Sequence, residues 1–255
     1  MTISVDGASL IALLLASVRV ISWLSVVPPF ATGGIPVTGR VVLSLGLSLD
    51  MAPTLAARHL PNTTPEMLLA VLAQVVVGVA MGFVTMLIFS TVADAGSLID
   101  IFGGFSVAAA YDPLAMNSNA VFGRFHQMLT VLLMMVSGGY LLVIGGLLTS
   151  FNFIGLDGMP NIHSWPAVVT TAFSMFFTTA LQIALPLIAV LFVCDLALAL
   201  MTKVAPQLNA MNVMYPAKVG LSLMLVGLCF PMLPGATDRL VELTNQALST
   251  MSGAS

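Results

Sequence analysis

Charge is what this sequence most lacks. Only 7% of its 255 residues are Asp, Glu, Lys or Arg, against 59% hydrophobic, and the mean hydropathy is +1.09. Soluble domains carry roughly a quarter charged residues, so this chain cannot clothe itself in a solvated surface, and lipid or protein must cover most of it. The 7 basic and 10 acidic residues form no run of either sign. Nucleic-acid binding, which needs a clustered basic face, is excluded. Cysteine is nearly absent too. Cys194 and Cys229 lie in apolar stretches without C-x-x-C spacing, which reads as small buried side chains rather than a disulfide or a metal pair. Signatures of catalysis are missing: there is no HExxH, GxSxG or P-loop, and His59, His126 and His163 stand apart in the sequence. The expectation is no enzyme: no catalytic residue, no metal, no cofactor.

Long apolar runs are what the chain does have. A bilayer-spanning helix needs about 20 mostly apolar residues. The segments that qualify are Ser9–Phe30, Val41–Ala57, Met67–Val92, His126–Thr149, Pro166–Met201 and Ala217–Leu233. The fold class is therefore all-α, a helical membrane-associated protein. Asp6, the lack of a basic n-region and the absence of an A-x-A site make the N-terminal run a retained membrane segment rather than a secretory signal. Pro186 predicts a kink or break in the fifth run, since proline removes a helix hydrogen bond. In the more polar tail, Leu240, Leu243, Ala247 and Met251 recur at helical spacing, predicting an amphipathic helix after Pro234 and Gly235. Residues 94–124 are the least regular stretch. Lys and Arg are spread too evenly for the positive-inside rule to orient the chain.

Several residues invite a functional reading beside a structural one. Arg19 sits near the middle of the first apolar run, where it costs ~2.5–3.5 kcal/mol on insertion scales. A proton or ion relay is one reading; a buried ion pair, or a helix outside lipid, is the favoured one. Asp50, Asp94, Asp100 and Asp195 pose the same question, and Asp195 is placed to pair with an Arg from elsewhere. Gly78 and Gly82 form a GxxxG that lets two helices approach closely, and the glycine pairs at 138/139 and 145/146 make a similar face. The 17 Met residues fit either core filling or a deformable seal around a moving peptide.

The break DLALALMTKVAPQLNAMNVMYPAKVGLSL lies between two apolar runs. Pro206 disfavours helix at Ala205, Lys203 suits a helix C-terminus, and Pro216 is placed to open the next helix. The break therefore reads as a hairpin turn, in which Gln207 and Asn209 satisfy backbone groups or a neighbouring subunit.

Three segments in order resemble the FliR family of flagellar export-gate proteins and its injectisome counterpart SctT. They are SVRVISWLSVVPPFATGGIPVTGRVVLSLGLSL, QVVVGVAMGFVTMLIFSTVADAGSLIDIFGGFSVAAAYDP and LPLIAVLFVCDLALALMTKVAPQLNAMNVMYPAKVGLSL. The APQLN hairpin is the most specific piece. The chain departs from the family pattern at Asp94 and Ser97, where a basic residue and an acid are common, and at Gly139 and Tyr140, where a histidine is common. The resemblance implies a FliP-like helical part over 1–183 and a FliQ-like hairpin with its tail over 184–255. It also implies FliP-like and FliQ-like partners, FlhB-like and FlhA-like export proteins beyond them, and unfolded substrates passing through the assembly.

The implied location is the bacterial inner membrane and flagellar basal body, with much of the assembly on the periplasmic side. Arg19, Asp195 and Lys203 then face protein as buried assembly charges. A pore-plugging loop is implied over GGFSVAAAYDPLAMNSN, with Gly103 and Gly104 for movement and Phe105, Val107, Tyr111 and Met116 for apolar bulk. An injectisome subunit is the nearest alternative and a small secondary transporter a more distant one, the latter lacking the paired broken helices such proteins show.

Overall fold

Backbone polar groups in hydrocarbon must be satisfied internally, which confines an apolar chain of this kind to helices or closed barrels. The computed structural model describes residues 6–31, 35–58, 60–105, 120–156, 163, 165–204 and 210–253, and among them every regular element is helical. In chain order these are α1 (Gly7–Leu24), α2 (Pro28–Ala31), α3 (Val37–Ala56), α4 (Thr64–Gly103), α5 (Val121–Val136), α6 (Gly139–Phe153), α7 (Trp165–Val204), α8 (Ala210–Cys229) and α9 (Leu233–Ser252), with a 3-10 turn at Phe230–Met232 before α9. Among the described residues, four helical segments are each long and apolar enough to cross a membrane: Gly7–Leu24, Thr64–Gly103, Trp165–Val204 and Pro216–Ser252.

The structure corrects several expectations. Val41–Ala57 lies within and just beyond α3 but is not among those four segments. The span expected over His126–Thr149 is built from two helices, α5 and α6, which are long and apolar enough for one span only together and are bent by 79° at their break. Gly138 makes that bend at φ +75, a left-handed backbone that glycine adopts without a Cβ penalty. The expected irregular stretch is half helix, for α4 continues through Asp94 and Asp100 to Gly103. Neither proline breaks its helix: α7 runs through Pro186, and Pro216 lies inside α8 rather than opening it. In apolar surroundings a helix keeps its remaining backbone bonds because nothing else can satisfy them, so one missing donor does not end it.

Helix α4 starts at a reciprocal capping box. Glu66 Oε2 accepts the Asn62 and Thr63 N–H groups at 3.0 and 3.3 Å, and Thr63 Oγ1 accepts the Glu66 N–H at 3.5 Å. Helices α4 and α7 have 40 residues each, so each is ~60 Å long at 1.5 Å per residue. A hydrocarbon core is about 30 Å thick. A helix standing near the membrane normal would leave about half its length beyond that core.

The chain divides into two compact units. The first comprises Met1–Ile88, Gly138–Phe173 and Leu240–Ser255. Its centre is the buried stripe of α1, namely Ala12, Leu15, Ala16, Arg19, Val20, Trp23 and Leu24, which follows the i, i+3, i+4 periodicity of a packed helix face. Helices α1 and α3 pack together. The GxxxG of α4 lies against α1: a Cβ at Gly78 would collide with the Arg19 carbonyl oxygen, and one at Gly82 would sit 3.0 Å from Val26 Cβ and 3.2 Å from the Trp23 oxygen. Within the same unit Gly146 lets α6 approach Asn245 and Leu248 of α9, and the Trp165 indole donates to the Met251 carbonyl at 3.1 Å. In α9, Leu240 and Met251 are buried while Asp238, Arg239, Glu242, Asn245 and Gln246 are exposed, so the tail is amphipathic as its spacing predicts.

Gly78→Val is expected to destabilise this unit by ~1–3 kcal/mol, the usual cost of overpacking. Gly145, whose added Cβ would meet nothing within 4 Å, is the control. There Gly→Ala is expected to be neutral or stabilising, because glycine inside a helix costs roughly 0.5–1 kcal/mol relative to Ala. Thermal melts of the two detergent-extracted variants check the contrast.

The second unit comprises Phe89–Ser137 and Ser174–Arg239. Its core gathers Ala95 and Ile99 of α4, Phe122 of α5, Ala180, Ala184 and Leu187 of α7, and Val226 of α8. Phe125 stacks obliquely on Phe230, the ring centroids 5.6 Å apart. The border at 183/184 expected from the family resemblance falls within the continuous helix α7.

Candidate functional site

Three polar constellations stand out in this apolar chain. The first surrounds Arg19, which is fully buried on the core face of α1. Its Nε donates to Gln74 Oε1 at 2.7 Å and its Nη1 to Ser150 Oγ at 3.1 Å. Its Nη2 donates to the carbonyls of Ile154 and Gly155 at 3.0 and 3.1 Å. The guanidinium also lies over the Phe151 ring, 4.1 Å from its centroid. Gln74 Nε2 in turn donates to the carbonyls of Gly155 and Leu156 at 3.2 and 3.3 Å. The expected ion pair is corrected: the acceptors described around Arg19 are an amide, a hydroxyl and carbonyls. These carbonyls follow the C-terminus of α6, where the helix dipole and unpaired oxygens favour a cation. A second arginine serves the same end, Arg58 Nη1 donating to the carbonyls of Phe151 and Asn152 at 2.9 and 3.3 Å.

The second constellation is where α4 ends and α5 begins. Ala93, Gly96, Ser97 and Asp100 recur on one side of α4. A Cβ at Gly96 would lie 2.6 Å from the Phe122 oxygen, and one at Gly123 would collide with Ser97 Oγ. One turn on, the buried Asp100 carboxylate accepts the Phe122 N–H at 3.1 and 3.0 Å and the Gly123 N–H at 3.1 Å. His126 Nδ1 is 2.7 Å from the Phe122 oxygen.

The third is an ion pair across the hairpin of α7 and α8. Lys218 Nζ lies 2.8 Å from Asp195, and the two side chains are 17% and 38% exposed. The partner of Asp195 is thus a lysine, not an arginine. Lys203 occupies the last turn of α7, as expected for a cation at a helix C-terminus, and is exposed on the single chain.

Of the residues expected to plug a pore, Gly103, Gly104 and Phe105 are described. Gly104 has φ +87. Gly103 is close-packed, since a Cβ there would sit 2.8 Å from Ser222 Oγ. The Phe105 ring meets Phe122 edge to face, centroids 4.9 Å apart. Val107, Tyr111 and Met116 lie outside the described residues, as do Pro206, Gln207 and Asn209 of the hairpin turn. Among the described residues no three His, Cys, Asp or Glu side chains converge to hold a metal.

Gln74, Ser150, Arg58 and Lys218 are the polar partners that sequence reasoning missed. Gln74 had a signal, being a lone amide in LAVLAQVVVGVAMG four residues before Gly78. Ser150 and Arg58 had none, because long-range partners carry no local pattern.

Residues 10–244 match the family described as bacterial export proteins, family 1. The flagellar biosynthetic protein FliR of Escherichia coli K12 is 31% identical over 208 residues, covering 81% of this chain and 80% of that protein. FliR of Pectobacterium carotovorum is 31% identical over 228 residues, covering 88% and 85% respectively. Yop proteins translocation protein T of Yersinia pestis is 24% identical over 213 residues, covering 82% and 81%. A match of this extent, on a helical chain with four segments able to cross a membrane, makes the protein a member of the FliR family of bacterial export proteins, an inner-membrane component of a type III export apparatus.

Proposed function

We propose that this chain is a structural and gating subunit of a flagellar type III export apparatus, without enzymatic activity. In this reading it closes an assembly with FliP-like and FliQ-like subunits, with FlhB-like and FlhA-like export proteins beside it, through which unfolded substrates pass. The observation that carries it is the likeness to flagellar FliR over four fifths of the chain. The flagellar relatives reach 31% identity and the Yersinia translocation protein 24%, which favours flagellar over injectisome export.

Two physical features support an assembled role. Helices α4 and α7 expose large apolar side chains along their length, among them Leu68, Leu72 and Ile101 on the first and Phe173, Val193 and Leu200 on the second. At ~60 Å each they outrun a hydrocarbon core of about 30 Å, so other subunits are needed to cover the remainder. Part of the assembly then lies beyond the membrane plane, on the periplasmic side in this reading.

Co-purification with FliP-like and FliQ-like proteins is the direct test; a chain that transports a solute when purified alone is a secondary transporter instead. For sealing, deleting Phe105–Tyr111 is expected to raise ion leakage through assembled gates severalfold at unchanged complex recovery. Unchanged conductance removes the plug role.

A further inference from the structure

We propose that the Asp100 side chain is the positioning residue for the start of α5, the border that follows the segment 106–119. At one border the main-chain carbonyl of Asp100 accepts the Phe105 N–H at 3.1 Å, a helix-end bond that does not depend on the side chain. At the other its carboxylate accepts the first amides of α5, those of Phe122 and Gly123, through both oxygens at 3.0–3.1 Å. The rings of Phe105 and Phe122 meet across the junction. The Asp100 carboxylate thus fixes, through two main-chain amides, where α5 begins, beside the Phe105–Phe122 contact.

The side-chain chemistry fits this role. The first amides of a helix have no intrahelical acceptor, and a carboxylate there gains both charge-assisted hydrogen bonds and the favourable end of the dipole. Asp100 is 3% exposed, so these amides take the place of water in solvating its charge. Gly96 and Gly123 are what allow the approach, since a Cβ at either collides with the opposing helix. Ala93, Gly96, Ser97 and Asp100 therefore act together, the small residues bringing the helices close and the acid fastening them.

The consequence for leakage rests on the sealing role proposed above for residues 103–116; the positioning itself does not. Hydrogen exchange of the full-length chain in its complex reads the positioning. Asp100→Ala is expected to strip protection from the amides of Phe122 and Gly123, and Asp100→Asn, which keeps one acceptor oxygen, to strip less. Protection within α4 should stay unchanged. Unaltered exchange at 122–123 overturns the proposal. Loss of protection throughout α4 and α5 overturns it equally, because Asp100 would then be a general core residue.

Ion conductance of the same complexes reads the consequence. Asp100→Ala is expected to leak severalfold more than wild type, with Asp94→Asn as a silent control. A tight Asp100→Ala gate beside a leaky deletion of Phe105–Tyr111 overturns the consequence for leakage and leaves the seal, with the positioning decided by hydrogen exchange. A tight deletion overturns the seal alone, and hydrogen exchange then decides the positioning.

Discussion

Arg19→Ala is expected to lose the first unit on extraction, with the chain aggregating or yielding to protease under conditions where wild type survives. The change strips donors from Gln74 Oε1, Ser150 Oγ and the Ile154 and Gly155 carbonyls, and it leaves a cavity beside Phe151. Each buried acceptor left without a donor costs ~1–3 kcal/mol. Gly155 keeps a bond from Gln74 and Ser150 keeps one to Leu147, so the total falls near 3–5 kcal/mol rather than the sum of four such losses. That is a large share of the ~5–15 kcal/mol typical of a folded domain.

Arg19→Lys is expected to rescue poorly. An ammonium is a point charge and cannot span acceptors that a planar fork reaches in several directions. Arg19→Met with Gln74→Leu is expected to lose less than the two single costs added together, because it removes donor and acceptor at once. Protease resistance and thermal melts of Arg19→Met, Gln74→Leu and the double variant, each against wild type, measure the coupling. Strict additivity would show that the two residues act apart.

Lys218→Met is expected to reduce assembled complex on the order of tenfold, which corresponds to about 1.4 kcal/mol. It leaves Asp195 unpaired in the apolar stretch Leu185–Met201 of α7. A lone carboxylate at the centre of a bilayer costs ~2.5–3.5 kcal/mol on insertion scales, and the 38% exposure of Asp195 lowers that where water reaches it. Asp195→Leu with Lys218→Leu is expected to recover most of the loss, since replacing both partners of a buried pair is often neutral while removing one is not. Quantifying the chain in purified complexes for Lys218→Met and the double separates these outcomes. A double no better than Lys218→Met would mean that a neighbouring subunit, not Asp195, requires the lysine.

The two constellations differ in how far they were legible beforehand. Arg19 was conspicuous as a charge in an apolar run, and of the favoured structural readings, a buried ion pair or a helix outside lipid, the described acceptors are not those of an ion pair. Helix α6 offers carbonyls beyond its C-terminus, and those lie more than 130 residues away in sequence. Asp100 was a candidate too, but its place on a helix face was not legible. Glycines at 96, 103 and 104 read as irregular chain, whereas Gly96 is a helical residue chosen for lack of bulk against α5. Propensity marks glycine as a helix breaker, and packing overrides that where two helices must touch.

What the sequence determined by itself is the solvent and the element type. With 7% charge against 59% apolar residues, the backbone has to close its own hydrogen bonds, and helices follow from that. The GxxxG contact, the amphipathic tail and the family were also written locally, in spacing and order. Tertiary structure alone decided the bend at Gly138, the continuity of α4 and α7, and the partners of Arg19, Asp100 and Asp195. Each of these depends on what a distant segment presents. A helix ends or bends, and a buried charge rests, where its neighbours supply or withhold hydrogen-bond partners, and spacing along one segment cannot contain that.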